Sequence, residues 1–186
     1  MSRFAVALIL ALLPLAAPAQ SLSALAEDEA EAEALLAELA TAPLPTWESV
    51  ENKILRIWSR SGSDTADLML QRGQDLIEEE EFLTAVEHLT ALTDHAPDFA
   101  EGWHARATAF FHLEEYGLAI EDIFRTLALN PHHFGALTGL GIMQEEMGQP
   151  ERALLAFEKA QALNPHREQI NQAIERLRIE IGRSTL

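Results

Sequence analysis

Three prolines, Pro97, Pro131 and Pro165, stand at a spacing of 34 residues, and the same step carries the small residues Ala85, Ala119 and Ala153 and the series Gly73, Ala107 and Gly141. A register held over three copies describes one helix-turn-helix unit repeated along an all-α solenoid, because a single unit cannot bury its own apolar side and must stack on its neighbours. The units run over 66–99, 100–133 and 134–167. Such an architecture narrows function to binding without naming the partner.

Matching places inside the units show what the register does. In each first helix a large apolar residue, Met69, Trp103 or Leu137, stands four positions before the small residue, and a small residue lets two helices approach closely. Phe82, Tyr116 and Pro150 follow at the turn within the unit, and Ala85, Ala119 and Ala153 then set the second helix against its partner. Each second helix closes on an apolar stretch and a proline that cannot continue it, as in Leu127-Ala128-Leu129-Asn130-Pro131.

These residues resemble the tetratricopeptide repeat family. Its pattern of Trp, Leu-Gly, Tyr, Ala, Phe, Ala and Pro is met in the second unit by Trp103, Ala107, Phe110, Tyr116, Ala119, Thr126 and Pro131. The third unit meets it with Leu137, Leu140, Gly141, Gly148, Ala153, Phe157, Ala160 and Pro165. The first keeps step through Gly73, Phe82, Ala85 and Pro97, with Leu76 where an aromatic is expected and Arg72 before the glycine.

The resemblance implies a right-handed superhelix with capping helices at both ends, whose concave groove, lined by the first helices, binds a protein or peptide. The implied groove places are Leu70, Gln74 and Ile77, with Asp67 and Glu78; then Glu101, His104, Thr108, Phe111 and His112; then Thr138, Ile142 and Glu145, with Gly135 and Glu146. One subfamily clamps the C-terminal carboxylate of chaperones with Lys, Asn and Arg, and the matching places here hold Leu70, Gln74, Ala105, Gly135 and Gly139, so that clamp is absent. A partner presenting apolar side chains with some Lys or Arg suits a groove of mixed apolar and acidic character. Phe111 and Ile142 could equally serve to pack neighbouring units, as helix-spaced apolar residues usually do.

Residues 1–19 have a different character. Arg3, an apolar run from Phe4 to Leu13 and small residues ending in Ala17-Pro18-Ala19 read as a secretory signal peptide cut before Gln20, so the mature chain is expected to be secreted or periplasmic. The apolar run is about ten residues, shorter than the ~20 of a membrane-spanning helix. A retained N-terminal anchor is the alternative. Losing Arg3 would move the formal net charge from -17 to -18. So acidic a chain is a poor ligand for nucleic acid, whose phosphates call for clustered Lys and Arg, and for an anionic membrane surface. The acidity is read first as a source of solubility, with recognition of a basic partner as the other reading. With no Cys, disulfides and thiol chemistry are excluded.

Between the leader and the repeats, 20–45 is an acidic Ala/Glu-rich segment with Ser23 as a candidate N-cap and Pro43 and Pro45 as its stop. Over 46–65, Thr46 reads as a second cap, and Trp47, Val50, Ile54, Ile57 and Trp58 form an apolar stripe expected to cover the first unit before the hinge Arg60-Ser61-Gly62-Ser63. Over 168–186, Ile170, Ile174, Leu177 and Ile181 line one face of a helix that closes the array.

Seven His and 30 acidic residues invite a metal reading, and the pairs to weigh are His104 with His112 and His132 with His133. The first pair lies about two turns apart on one helix, too far for one ion. The second follows Pro131 in a loop, with no ligand spacing of known type nearby. The run Glu78, Glu79, Glu80 and Glu81 reads as a solvated charge cluster, and no phosphate loop, nucleophile elbow or catalytic triad can be picked out. The expectation is an exported adaptor working without cofactor, metal or catalysis. A self-associating scaffold or homo-oligomer and a general chaperone are the other readings.

Overall fold

The computed structural model describes residues 17–41 and 45–184, and among these every regular element is an α-helix. The order is α1 (Ala17–Leu39), α2 (Trp47–Trp58), α3 (Asp64–Glu78), α4 (Phe82–His95), α5 (Ala100–His112), α6 (Tyr116–Leu129), α7 (Phe134–Glu146), α8 (Pro150–Leu163) and α9 (Glu168–Ser184). Helices α3 to α8 are the three expected pairs, and α9 packs on α8 as the closing helix. The signal-peptide reading rests on residues of which 1–16 lie outside the described ones. So do 42–44, the heart of the proline linker. No helix among the described residues is long and apolar enough to cross a membrane. Ser23 lies inside α1 and does not start it.

The small residues do what their spacing implied. A Cβ added to Gly73 would sit 2.3 Å from Leu89, and one added to Gly141 would sit 2.6 Å from Phe157, so the backbones of α3 and α7 lie directly against the second-helix side chains. In the middle repeat, Ala107 occupies this place and the residue matching Leu89 and Phe157 is the β-branched Ile123, smaller than Phe157. Ala85, Ala119 and Ala153 are all fully buried.

The turns within the pairs repeat one backbone conformation. Glu80, Glu114 and Gly148, each 34 residues from the next, all have φ between 60° and 67°. In each, the following amide closes back onto the helix: Glu81 N to Leu76 O, Glu115 N to Phe110 O and Gln149 N to Gln144 O. This is the left-handed helix stop with its six-to-one hydrogen bond, which satisfies carbonyls the helix end would otherwise leave unpaired.

The N-terminal helices depart from expectation. The stripe of α2 does not cover α3: Val50, Ile54 and Ile57 form a cluster with Ala32, Leu35, Leu36 and Leu39 of α1, with Phe134 and, at its edge, Leu163. The α1–α2 hairpin therefore lies on the loops that join the second repeat to the third and the third to α9. The reason is in the register. Positions of α5 and α7 that face the preceding repeat are Gly102, Ala105 and Ala109, then Ala136, Gly139 and Met143; in α3 they are Leu68, Gln71 and Asp75. Apart from Leu68, which is 66% exposed, α3 turns a polar face outward and needs no cover. Thr46 also makes no side-chain cap, whereas Ser63 caps α3 by accepting from Ala66 N.

The loops that receive the hairpin share the triplet Asn-Pro-His, at Asn130-Pro131-His132 and Asn164-Pro165-His166, and each Asn accepts the amide of the His two residues on. At the second loop, Glu51 of α2 is buried and accepts from Asn164 Nδ2 and from the guanidinium of Arg167. His166 stacks on Trp47 and bonds the carbonyl of Leu39 at 2.9 Å. Arg60 at the end of α2 reaches back to Asp28 of α1.

Candidate functional site

The first helices α3, α5 and α7 line one face, as the resemblance implied, and two recesses open there side by side. One, of about 270 Å³, lies between α5 and α7 and is bounded by Ala107, Phe111, Ile123, Gly139, Ile142 and Met143, with His104, Thr108, His112, Gly135 and Thr138 around it. Its floor is apolar and its breadth comes from two glycines, Gly135 and Gly139, at places where a side chain would fill it. The second, of about 380 Å³, lies between α3 and α5 and is bounded by Gln74, Ile77, Glu78, Glu101, His104, Ala105 and Thr108. His104 and Thr108 form the ridge shared by both.

Most of the residues implied for the groove border one of these recesses; Leu70, Asp67, Glu145 and Glu146 border neither. Leu70 is 1% exposed and belongs to the core with Leu89 and Leu92, because its turn of α3 faces α4 and α5. Glu145 is held by Arg176 of α9 and borders neither recess. Asp67 serves the hinge instead, accepting from the backbone and hydroxyl of Ser61. Ile142 is partly exposed at the mouth of the apolar recess. Phe111 leans on Tyr116, and His112 stacks flat on Phe82 of the preceding repeat.

Behind the shared ridge stands a buried group that pairing of histidines along the sequence did not find: Glu101, His104 and His133, with donor atoms all within 4.8 Å of one another. His133 caps α7, its Nδ1 accepting from Ala136 N at 3.0 Å. That bond places the ring proton on Nε2, which donates to Glu101 Oε2 at 2.9 Å. The other oxygen, Oε1, is 3.7 Å from His104 Nδ1, beyond hydrogen-bond reach. Burial works to raise the pKa of Glu101, and the His104 and His133 imidazoles overcome it and hold the carboxyl well below the usual range. Burial lowers the pKa of His133, His104 adds to that, and Glu101 opposes it without prevailing. Trp58 of α2 stacks on the same imidazole at 4.8 Å, so one side chain joins the groove wall, the start of α7 and the hairpin.

Two imidazoles and a carboxylate are a donor set that suits a divalent ion such as zinc. The cap tells against it. An ion on His133 Nε2 would displace the proton to Nδ1, where it would meet the Ala136 amide and break the cap. The arrangement is complete as a hydrogen-bonded pair. The partner of His133 lies 32 residues back in the chain, so only the stacking of one repeat on the next brings them together. The expected pair His132 and His133 is split, with His132 exposed and His133 fully buried.

Comparison with known proteins fits the register. The first TPR of Spaghetti (RPAP3), solved bound to the HSP90 peptide SRMEEVD, superposes on 63% of this chain and 93% of its own with a TM-score of 0.61 and 20% identity. The Sgt2 TPR domain from Aspergillus fumigatus superposes on 66% of this chain and 83% of its own, at a TM-score of 0.61 and 19% identity. MamA covers 73% of this chain and 81% of its own, at a TM-score of 0.60 and 22% identity. The fold is that of the tetratricopeptide repeat. Among curated relatives, a TPR repeat-containing protein of Rhizobium etli is 34% identical over 133 residues, spanning 69% of this chain and 65% of that protein. The human SGT1 homolog is 29% identical over 56% of this chain and 28% of its own length. The chain thus spans less than two thirds of these relatives, and no family model matches it. In the TPR frame, α3, α5 and α7 are the groove-lining first helices, and α9 stands where a fourth would begin.

Proposed function

We propose that this protein is an exported adaptor that holds a segment of another polypeptide in the groove lined by α3, α5 and α7, in the service of protein-complex assembly at a bacterial envelope. The observation that carries the binding reading is the apolar recess between α5 and α7. Gly135 and Gly139 keep it open, and the partly exposed Ile142 and Phe111 stand at its rim. A helix pair packed only for stability would fill such a space, since interiors close to crystal density leave few voids. TPR neighbours that hold peptides in this fold, such as the RPAP3 domain with its HSP90 peptide, support a polypeptide as the ligand class. That peptide ends in two glutamates, a valine and an aspartate, whereas the recess between α3 and α5 is bordered by the exposed Glu78 and the buried Glu101, which speaks for a different ligand chemistry. The export reading rests on the leader-like residues 1–19. Binding, with no catalytic step, is the activity this site supports.

The test is site-specific photocrosslinking in cells from a reactive residue at Phe111, with a control at the exposed Phe124 on α6. Capture of one dominant polypeptide from Phe111 alone supports the adaptor and identifies its pathway. Equal capture from both positions, or adducts only between copies of the chain, would replace it with a general chaperone or a self-associating scaffold.

A further inference from the structure

The two recesses differ in chemistry, and the difference sets what the groove can read. Glu101 is 7% exposed and ionised, yet the hydrogen bond that holds it comes from a neutral imidazole, because the cap at Ala136 commits His133 to a single proton. A buried carboxylate without a formal positive charge beside it is costly. Glu101 borders the recess between α3 and α5, across which Glu78 adds a second, exposed carboxylate. The chain itself offers little to balance them. In the groove register the places matching Gln74 are Thr108, Ile142 and Arg176, and Arg176 is occupied by Glu145. The described residues that border this recess include no Lys or Arg, and His104 on the ridge is their one imidazole.

Resting on the groove reading above, we propose that the site recognises a basic side chain and an apolar side chain set next to one another on its partner. The Lys or Arg enters between Glu78 and Glu101, and the apolar side chain enters the recess walled by Phe111, Ile123, Ile142 and Met143. The recesses share His104 and Thr108 as their common wall, so the two side chains must be near neighbours on the bound segment. Glu101 is the specificity-determining residue, because its position is fixed from behind by His133, and a preorganised charge loses less on binding than a mobile one.

The experiment is selection from a phage-displayed random peptide library on the purified protein, followed by fluorescence-polarisation titration of the enriched peptides. Targets are the wild type, the pair Glu78→Gln with Glu101→Gln, and Ile142→Glu. Glu101→Gln keeps an acceptor for His133, and thermal melts followed by circular dichroism confirm each variant is folded; exposed Glu78→Gln alone is the fallback. The proposal expects Lys or Arg beside a large apolar residue, and about a tenfold or greater loss of affinity in the double glutamine variant. It also expects that loss to vanish when the peptide's basic residue is replaced by norleucine. Peptides enriched for apolar residues alone, or for acidic ones, or binding the double variant unchanged, overturn the proposal while leaving the groove reading intact if Ile142→Glu still abolishes binding. Enriched peptides that bind Ile142→Glu as well as wild type would overturn the groove reading itself.

Discussion

The Nε2–H of His133 donates to Glu101 Oε2 across 2.9 Å, and the two residues belong to successive repeats. With its Nδ1 capping α7, this imidazole fixes where the third repeat starts and how it sits on the second. Glu101→Ala should destabilise by about 1–3 kcal/mol, the cost of leaving a buried donor unpaired, while Glu101→Gln should cost clearly less because an acceptor remains. His133→Ala should cost about 3–5 kcal/mol, since it strands a buried carboxylate and removes a cap together. Urea unfolding of the three variants checks the order, and equal losses for Ala and Gln at 101 would remove the hydrogen bond from the account.

The same pair gives the protein an acid-sensitive joint. Glu101, depressed in the folded state, contributes stability that is present above the ordinary carboxylate range and lost as pH falls through its native value. His133 is lowered from 6.5, so the unfolded chain takes up its proton first, and the stability it lends is complete above 6.5 and declines below. Both act in one direction. The melting temperature should be flat from about pH 8 to about pH 7 and fall below about pH 6.5. His133→Asn keeps a cap acceptor and cannot titrate, so it should flatten the part of the slope above about pH 5. An unchanged slope would assign the acid sensitivity to other carboxylates.

Close packing inside each pair is matched residue against residue. Gly141 faces Phe157 and Gly73 faces Leu89, while Ala107 packs in one cluster with the β-branched Ile123, which is smaller than Phe157. Gly141→Ala should therefore cost about 1–3 kcal/mol through overpacking, despite the better helix propensity of alanine. The double variant Gly141→Ala, Phe157→Ile, which copies the middle repeat, should recover most of that loss. A double-mutant cycle measures the coupling, and strict additivity would mean the contact does not govern the site.

What the sequence showed plainly was whatever repeats. Pro97, Pro131 and Pro165 marked the helix pairs to within a few residues, and the faces of α3, α5 and α7 followed from position in the repeat. What it hid was whatever joins one repeat to another or departs from the period. Glu101 and His133 meet only through the stacking of one repeat on the next, and nothing in the sequence near either marks it as the partner of the other. The destination of α2 differs from the expected one because an apolar stripe says how much must be covered and not by what; the answer lies in Gln71 and Asp75, whose polarity leaves α3 without an apolar face to share.

The left-handed turn offers an internal comparison. Gly148 adopts φ 67° without strain, whereas Glu80 and Glu114 hold φ 60° with a Cβ in place. Glu114→Gly should stabilise by up to about 1 kcal/mol and Gly148→Ala should cost about 1 kcal/mol. Denaturant midpoints with unchanged slopes would report these shifts, and opposite signs would show that the glutamate side chains supply something the backbone does not.

The hairpin of α1 and α2 is held to the repeats chiefly through side chains, above all Glu51 on Asn164 and Arg167 and Trp58 on His133. Glu51→Ala leaves the buried Asn164 amide without its acceptor, at a cost of about 1–3 kcal/mol. Because the repeats carry their own core from Ala66 to Leu177, that loss should fall on docking and not on the array. Trypsin has Lys53, Arg56 and Arg60 exposed along α2 and the hinge, sites that a docked helix protects and a detached one offers. Limited proteolysis of Glu51→Ala should therefore cut at these residues several-fold faster than in wild type and leave a stable fragment beginning near the hinge. If the repeats are digested in step with the hairpin, the two are one cooperative unit, and Glu51 is an integral support of the solenoid.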